Sequence, residues 1–161
     1  MRPVAFAKSF ATVDGDIGLA DVVGHLASPE IGGTAVFVGT VRAGRNAAGV
    51  AVSSLWYDVY DAATQGWLDR AGAAIERTVG TPLASRVVQR RGRVPVAATA
   101  LVAAVGAPHR REALEGCALL VEALKYESPV WKAETFADGT TDWVACDTTE
   151  RASENLLVRR Q

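Results

Sequence analysis

The chain has 161 residues, of which 49% are hydrophobic and 22% are charged, and its formal net charge is -1. This length and balance indicate a globular protein with a sizeable core, and they exclude a disordered chain. The small net charge also excludes a general attraction for nucleic acid or acidic membranes, so any anion binding must come from local groups of cations.

The cysteines and the apolar segments narrow the class of protein further. Two cysteines are too few for a disulfide framework, and no Cys/His spacing suggests a zinc site. Cys117 lies in an apolar stretch, which is typical of a buried and unreactive thiol. The N-terminus lacks a long apolar core and no run approaches membrane-spanning length, so we expect a cytoplasmic protein.

The first half of the chain predicts a mixture of strands and helices. We expect an edge strand over residues 4–13 and a short helix over residues 17–26. Residues 34–41 form a nearly continuous β-branched and aromatic run, which predicts a strand buried on both faces, and Gly39 within it predicts a bulge or a close approach. A strand over 50–57 and a long helix over 62–79 follow.

A small polar loop over residues 43–49 follows Arg42, which ends the strand over 34–41. Such loops can hold ligand-binding groups on a rigid base, or they can simply join two strands. The residues alone favour the simple connection.

In the second half of the chain we expect a strand over residues 84–91, a turn over 92–96 and a second strand over 98–105. The end of the first of these strands is unusually basic. A helix over 111–124 follows, and a hairpin turn at 137–140 pairs a strand over 131–136 with one over 142–146. Residues 147–161 are either a terminal helix that docks or a flexible tail that a partner orders. Together these elements predict one α+β domain over residues 1–161.

Lys125 and Lys132 flank a sharp change of direction at Pro129, which disfavours helix at the residue before it. A helix end and the strand that leaves it can bring two such side chains towards one pocket. Two ammonium groups held close repel each other, so each loses a proton more readily and can act as a nucleophile or base. Alternatively, both are ordinary surface lysines, and Lys125 only complements the helix dipole.

His109 and Arg110 stand at the start of the predicted third helix, where free backbone N–H groups favour an anion. The alternative is that Arg110 and its neighbour Arg111 are solvated surface charges, although cations are the less favourable sign at that end of a helix. With Arg42 and the two lysines, these residues predict a site that binds a compact phosphorylated ligand and works by amine chemistry and electrostatics.

Three segments resemble the large, catalytic subunit of molybdopterin synthase, the MoaE family: residues 37–42 (FVGTVR), 109–115 (HRREALE) and 124–134 (LKYESPVWKAE). Trp143-Val144 also fits the family's pattern, and the order of segments holds over about residues 33–144. The resemblance implies an α+β chain of the α/β hammerhead type with an additional small antiparallel sheet subdomain.

The resemblance also implies a sulfurtransferase of molybdenum-cofactor biosynthesis that converts cyclic pyranopterin monophosphate (precursor Z) into molybdopterin. The two sulfurs arrive as a thiocarboxylate on the C-terminal Gly-Gly of a small ubiquitin-like partner. Two large subunits form a homodimer flanked by two small ones, which makes a heterotetramer. No cofactor, metal, nucleic acid or membrane is implied for the chain itself.

Carried over residue by residue, Lys125 and Lys132 match the family's catalytic lysines. Arg42, His109 and Arg110 match the cations that bind the substrate, and in the dimer the His-Arg pair can serve the neighbouring subunit's pocket. As a hypothesis, Lys132 lies nearest the reacting centre, and Lys125 orients the substrate or the acyl carbonyl.

The sequence departs from the family's pattern in several places. Gln89 stands where a histidine is often found, and the surroundings of Ala97 and Ala98 replace a usual Gly-Asp or Gly-Glu. The main alternative is therefore a non-catalytic paralogue that binds a ubiquitin-like partner or a pterin phosphate, although the retained lysines argue against it. An unrelated enzyme for a phosphorylated ligand, using the same cations, is the third hypothesis.

Overall fold

The computed structural model describes residues 6–144 as strands and helices that alternate irregularly along the chain. The strands are β1 (Lys8–Val13), β2 (Gly33–Thr40), β3 (Val52–Val59), β4 (Ala84–Arg90), β5 (Gly92–Pro95), β6 (Thr99–Ala107), β7 (Val130–Phe136) and β8 (Thr141–Trp143). The helices are α1 (Leu19–Gly24), α2 (Asp61–Val79) and α3 (Arg110–Glu127). These elements confirm the α+β prediction. Within residues 6–144, no helix combines the length and the apolar character needed to cross a membrane.

The first sheet has the strand order β1-β4-β6-β2, in which β1 runs parallel to β4 and the other pairs are antiparallel. Its strand β6 is apolar on both faces and alternates between two cores. Ala103 and Val105 pack into the core under α2 and α3, while Val102 and Ala104 pack into the core on the α1 side. This alternation follows from the two-residue period of a strand.

Helix α3 covers the first sheet with one apolar face. Ala113, Cys117, Leu120 and Leu124 are buried at the spacing that places side chains on one side of a helix. Full burial of each leucine contributes about 1.5–3 kcal/mol. The buried setting of Cys117 confirms the prediction for this thiol, whose pKa is raised by burial. The helix ends before Pro129, as predicted, and the Ser128 hydroxyl donates to the Leu124 carbonyl at 2.7 Å.

Strand β2 is not buried on both faces, so that prediction is wrong. It lies at an edge of the first sheet, and Val36, Phe37 and Val38 are 38–43% exposed. Only Ala35 of this strand is buried. A central strand covered on both faces and an edge strand that a partner covers can both be apolar runs. The composition of residues 34–41 therefore could not show which of the two β2 is. The predicted bulge is confirmed by a register shift between Gly39 and Thr40.

The second sheet is antiparallel, with the order β5-β3-β7-β8, and it is the predicted additional sheet. Residues 92–96 were expected to form a turn, which is wrong because β5 occupies 92–95 and pairs with β3. Proline is tolerated in β5 because this strand lies at the sheet edge. The hairpin turn at 137–140 is confirmed, with Gly139 at a φ of 85°. The predicted terminal segment 147–161, and the end of the strand predicted over 142–146, lie outside the described residues.

A small third core joins the two sheets. Val41, Val94 and Ala100 are buried in it, and Leu55 and Tyr57 of β3 pack against them. We call these residues the junction cluster. The junction cluster lies at the end of the first sheet where β2 finishes and β6 begins, so it fixes the second sheet against that end.

Candidate active site

Arg42 projects from a rigid position at the end of β2. Its neighbour Val41 is 2% exposed in the junction cluster. The Val41 backbone is held on both sides, since its N–H donates to Ala98 at 3.0 Å and its carbonyl accepts from Ala97 at 2.8 Å. The Arg42 side chain is exposed, so the strand end presents a cation on a fixed base.

The loop after Arg42 is closed upon itself. Asn46 accepts from the Val50 N–H through its side chain at 2.9 Å, and Arg45 donates to the Gly49 carbonyl at 2.7 Å. These bonds use the loop's own polar groups. These bonds hold the loop in one conformation, and whether it contacts a ligand stays a prediction.

Lys132 lies on β7 in the middle of the second sheet. The strand pairs with β3 on one side, where Lys132 is opposite Tyr57, and with β8 on the other. The Lys132 carbonyl also accepts from the Val144 N–H at 2.9 Å. The side chain is exposed, so an anchored backbone carries an accessible amine.

Lys125 lies in the last turn of α3, on the other side of the chain reversal from Lys132. Its ammonium group is 4.7 Å from the centre of the Tyr126 ring, which is the distance of a cation–π contact. Helix α3 starts beside the first residue of β2 and packs back over β2 and β6. Its end therefore lies towards the end of the first sheet that carries Arg42.

His109 and Arg110 lie at the opposite end of α3, pressed against the start of β2. A Cβ on Gly33 would be 3.2 Å from the Arg110 Cα, a tight contact that a larger residue could make only if the helix start moved by a few tenths of an ångström. Both side chains are exposed, and His109 is the extended residue before the helix. The sequence prediction that they stand at a helix start is confirmed.

The five predicted residues thus fall into two groups within one chain. Arg42 follows β2, Lys132 lies on β7 beside β3, and Lys125 lies in the last turn of α3, which runs towards the same end of the first sheet. Helix α3 has 18 residues and is about 27 Å long, so His109 and Arg110 lie far from Lys125. One chain does not bring all five together, and the use of the His-Arg pair by a neighbouring subunit stays a prediction.

The arginines at and just after the end of β4 form ion pairs within the fold. Arg91 bonds to Asp14 at 2.7 Å and to Asp61 at 2.9 Å, and Arg90 bonds to Asp16 at 3.0 Å. The hydrogen bond and the charge of Arg91 hold the pKa of Asp14 below its usual value. These ion pairs tie the loop after β1 to β4 and α2.

Gln89, which replaces a histidine common in the family, has a structural role. It is 3% exposed, and its side-chain amide donates to the carbonyls of Arg90 at 2.9 Å and Ala100 at 3.0 Å. A buried amide with both protons bonded is stable where it is. In this chain the Gln89 side chain therefore serves the packing of the first sheet.

Sequence reasoning did not single out Tyr57, although it is the residue opposite Lys132. It is partly buried against the junction cluster, and burial raises the pKa of Tyr57 to about 12. The signal was only an aromatic residue in a predicted strand. The strand register that pairs it with Lys132 depends on contacts 75 residues apart in sequence, between β3 and β7.

Comparison with known proteins assigns this chain and its fold to one family. The family described as MoaE protein matches residues 12–127. The molybdopterin synthase catalytic subunit of a Nostoc species is 30% identical over 149 residues, which cover 91% of this chain and 88% of that protein. The chain therefore belongs to the MoaE family, and the resemblance seen in the sequence is confirmed.

Solved structures agree with this assignment. The molybdopterin synthase of Staphylococcus aureus superposes with a TM-score of 0.75 at 25% identity, covering 83% of this chain and 95% of that chain. A complex of subunits 1 and 2 of the molybdopterin-converting factor from Helicobacter pylori gives a TM-score of 0.68 at 18% identity, covering 84% and 89%. The latter likeness shows the fold alone.

Proposed function

We propose that this chain is the catalytic subunit of a molybdopterin synthase, which converts cyclic pyranopterin monophosphate into molybdopterin by inserting two sulfurs. Membership of the MoaE family supports the reaction. The observation that carries the proposal for this chain is the retention of Arg42, Lys125 and Lys132, which are all exposed, after β2, in the last turn of α3 and on β7 respectively.

Each cation has a role in this proposal. Arg42 binds an anionic oxygen, because its guanidinium stays charged and offers a planar fork of donors. Lys125 orients the substrate or the acyl carbonyl. Lys132 lies nearest the reacting centre, and its amine assists proton transfer while the thiocarboxylate sulfur attacks the pterin.

The proposed sulfur donor is a small ubiquitin-like protein whose C-terminal Gly-Gly carries the thiocarboxylate, and we place both proteins in the cytoplasm. The two-subunit complex from Helicobacter pylori supports a partner of this kind. The exposure of Arg42, Lys125 and Lys132 leaves room for a peptide tail to reach them. Such a tail ends in a charged group that these cations attract.

We also propose that two copies of the chain form a homodimer within a heterotetramer. His109 and Arg110 lie too far along α3 to complete their own chain's site. In a dimer they can supply cations to the second copy's substrate phosphate. The exposed apolar side chains of β2 (Val36, Phe37 and Val38) offer a surface that association would cover.

The alternative of a non-catalytic paralogue gains no support from the described residues. Its one sequence argument was the histidine missing at Gln89, and the Gln89 side chain is buried and its amide N–H groups bond to two carbonyls within the fold. The lysines that such a paralogue would be free to lose are both present.

The test is a single-turnover assay of this protein with a thiocarboxylated small subunit and precursor Z, with molybdopterin detected as its fluorescent oxidation product. Product formation at the rate of substrate consumption is the expected result. Binding of the small subunit without any product would show that the chain is a docking paralogue, and the enzyme proposal would be withdrawn.

A further inference from the structure

Tyr57 has an unusual position in the second sheet. It pairs with Lys132 on β7 and with Gly92 on β5. Residues directly opposite each other in antiparallel strands point to the same face, with Cβ atoms about 5 Å apart. Because Gly92 has no side chain, Lys132 is the only side-chain neighbour of Tyr57 in this row of β5, β3 and β7.

The Tyr57 ring is also fixed with respect to Arg42. The ring packs against the junction cluster, which contains Val41, the residue directly before Arg42. One small core thus supports both the base of Arg42 and the ring of Tyr57. Tyr57 is therefore linked by packing to one predicted site cation and by strand register to another.

The Tyr57 hydroxyl is available for a ligand. Among residues 6–144, the hydroxyl has no hydrogen-bond partner, and it is not one of the fully buried polar atoms that lack one. Its pKa of about 12 keeps the phenol protonated through neutral and moderately alkaline pH. A neutral hydroxyl has one proton and donates a hydrogen bond in one direction. It can therefore favour an oxygen at one position, whereas a cation attracts anionic oxygens from every direction.

We propose that Tyr57 is a further binding residue of this site, whose hydroxyl donates a hydrogen bond to an anionic or acyl oxygen held by Arg42 and Lys132. This inference rests on the proposed function. The oxygen belongs either to the phosphate of the pterin substrate or to the carboxyl terminus of the protein partner. Both present the same chemistry, an oxygen acceptor with negative charge.

The test compares the wild-type protein with Tyr57→Phe, which removes the hydroxyl and keeps the ring that packs on the junction cluster. One titration uses precursor Z alone and the other uses the small subunit alone, so the two sources of the oxygen are separated. We expect about tenfold weaker binding in one titration, the usual size for loss of a hydrogen bond to a charged group. The thermal unfolding midpoint should stay unchanged.

Tyr60→Phe is the matched control, because Tyr60 is 60% exposed before α2 and its hydroxyl makes no bond among the described residues. It should bind both ligands like the wild-type protein. Unchanged binding of both ligands by Tyr57→Phe, with normal binding by the wild-type protein, would overturn this inference alone. A wild-type protein that binds neither ligand would overturn the proposed function and this inference with it.

Discussion

At the scale of single residues, some arginines form ion pairs within the fold and others are exposed to solvent. Arg91 is engaged by Asp14 and Asp61, and Arg90 by Asp16, while Arg42 and Arg110 are exposed. The sequence could show that arginines are concentrated near residue 90, but it could not show that two of their partners, Asp14 and Asp16, lie more than 70 residues away on the loop after β1. Clustering of cations was therefore an incomplete guide to the site.

The pair of Asp14 and Arg91 makes a prediction about pH. The pKa of Asp14 is below its ordinary value of 3.8 in the folded chain, first because of the hydrogen bond from Arg91 and then because of its charge. A lowered carboxyl pKa stabilises the fold above the unfolded-state pKa, and this contribution disappears as the pH falls through the folded-state pKa. Arg91→Gln should therefore lower the unfolding midpoint at pH 7 more than at pH 2.

Thermal melts of the wild-type protein and Arg91→Gln between pH 2 and pH 7 measure this difference. Arg111→Gln is the control, since the Arg111 side chain is 81% exposed and its nearest carboxylate oxygen is 4.0 Å away. A difference between wild type and Arg91→Gln that stays constant across this range would mean that Asp14 titrates normally.

At the scale of elements, the close contact between β2 and the start of α3 positions His109 and Arg110. A Cβ on Gly32 would fall on the Pro108 carbonyl oxygen, which is backbone and cannot rotate away. Gly32→Ala should therefore destabilise the fold by about 1–3 kcal/mol, the usual cost of overpacking. Chemical denaturation measures this loss. Gly24→Ala, where nothing lies within 4 Å of the new Cβ, should be neutral or slightly stabilising. Equal stability of both variants would contradict this account of the contact.

Helices were easier to predict from the sequence than strand environments. The end of α3 followed from Pro129, and its buried face followed from apolar spacing, because both are local effects. The exposure of β2 and the existence of β5 depend on which strands lie beside them. Strand β5 is four residues long and ends in proline, so its local signal is that of a turn, and pairing with β3 overrides it.

The candidate site was predictable only in part for the same reason. Arg42, His109 and Lys125 stand at element ends that local signals mark, and Lys132 follows Pro129 by three residues. Tyr57 lies inside a strand, and only the register between β3 and β7 shows that it is opposite Lys132. The separation of His109 from Lys125, by contrast, already follows from the helix predicted between them.

At the scale of the whole molecule, the two groups of cations predict that a complete site needs two copies of the chain. Two differently tagged proteins, one with Lys132→Ala and one with Arg110→Ala, can be produced together and the mixed dimer purified. In this dimer one of the two sites has both residues intact if they come from different copies. We therefore expect about half of the wild-type activity, although each variant alone is strongly impaired. A mixed dimer as inactive as its parents would show that both residues serve the same chain's site.

The most direct test of the account is the single-turnover assay applied to Lys132→Ala, with the small subunit at saturation. Arg111→Ala is the control, because it removes an exposed cation that lies outside the proposed site. We predict that molybdopterin formation falls by at least about a hundredfold in Lys132→Ala, the size typical of a lost proton-transfer group, and stays normal in Arg111→Ala. Near-normal turnover by Lys132→Ala would contradict the placement of the chemistry at this end of the molecule.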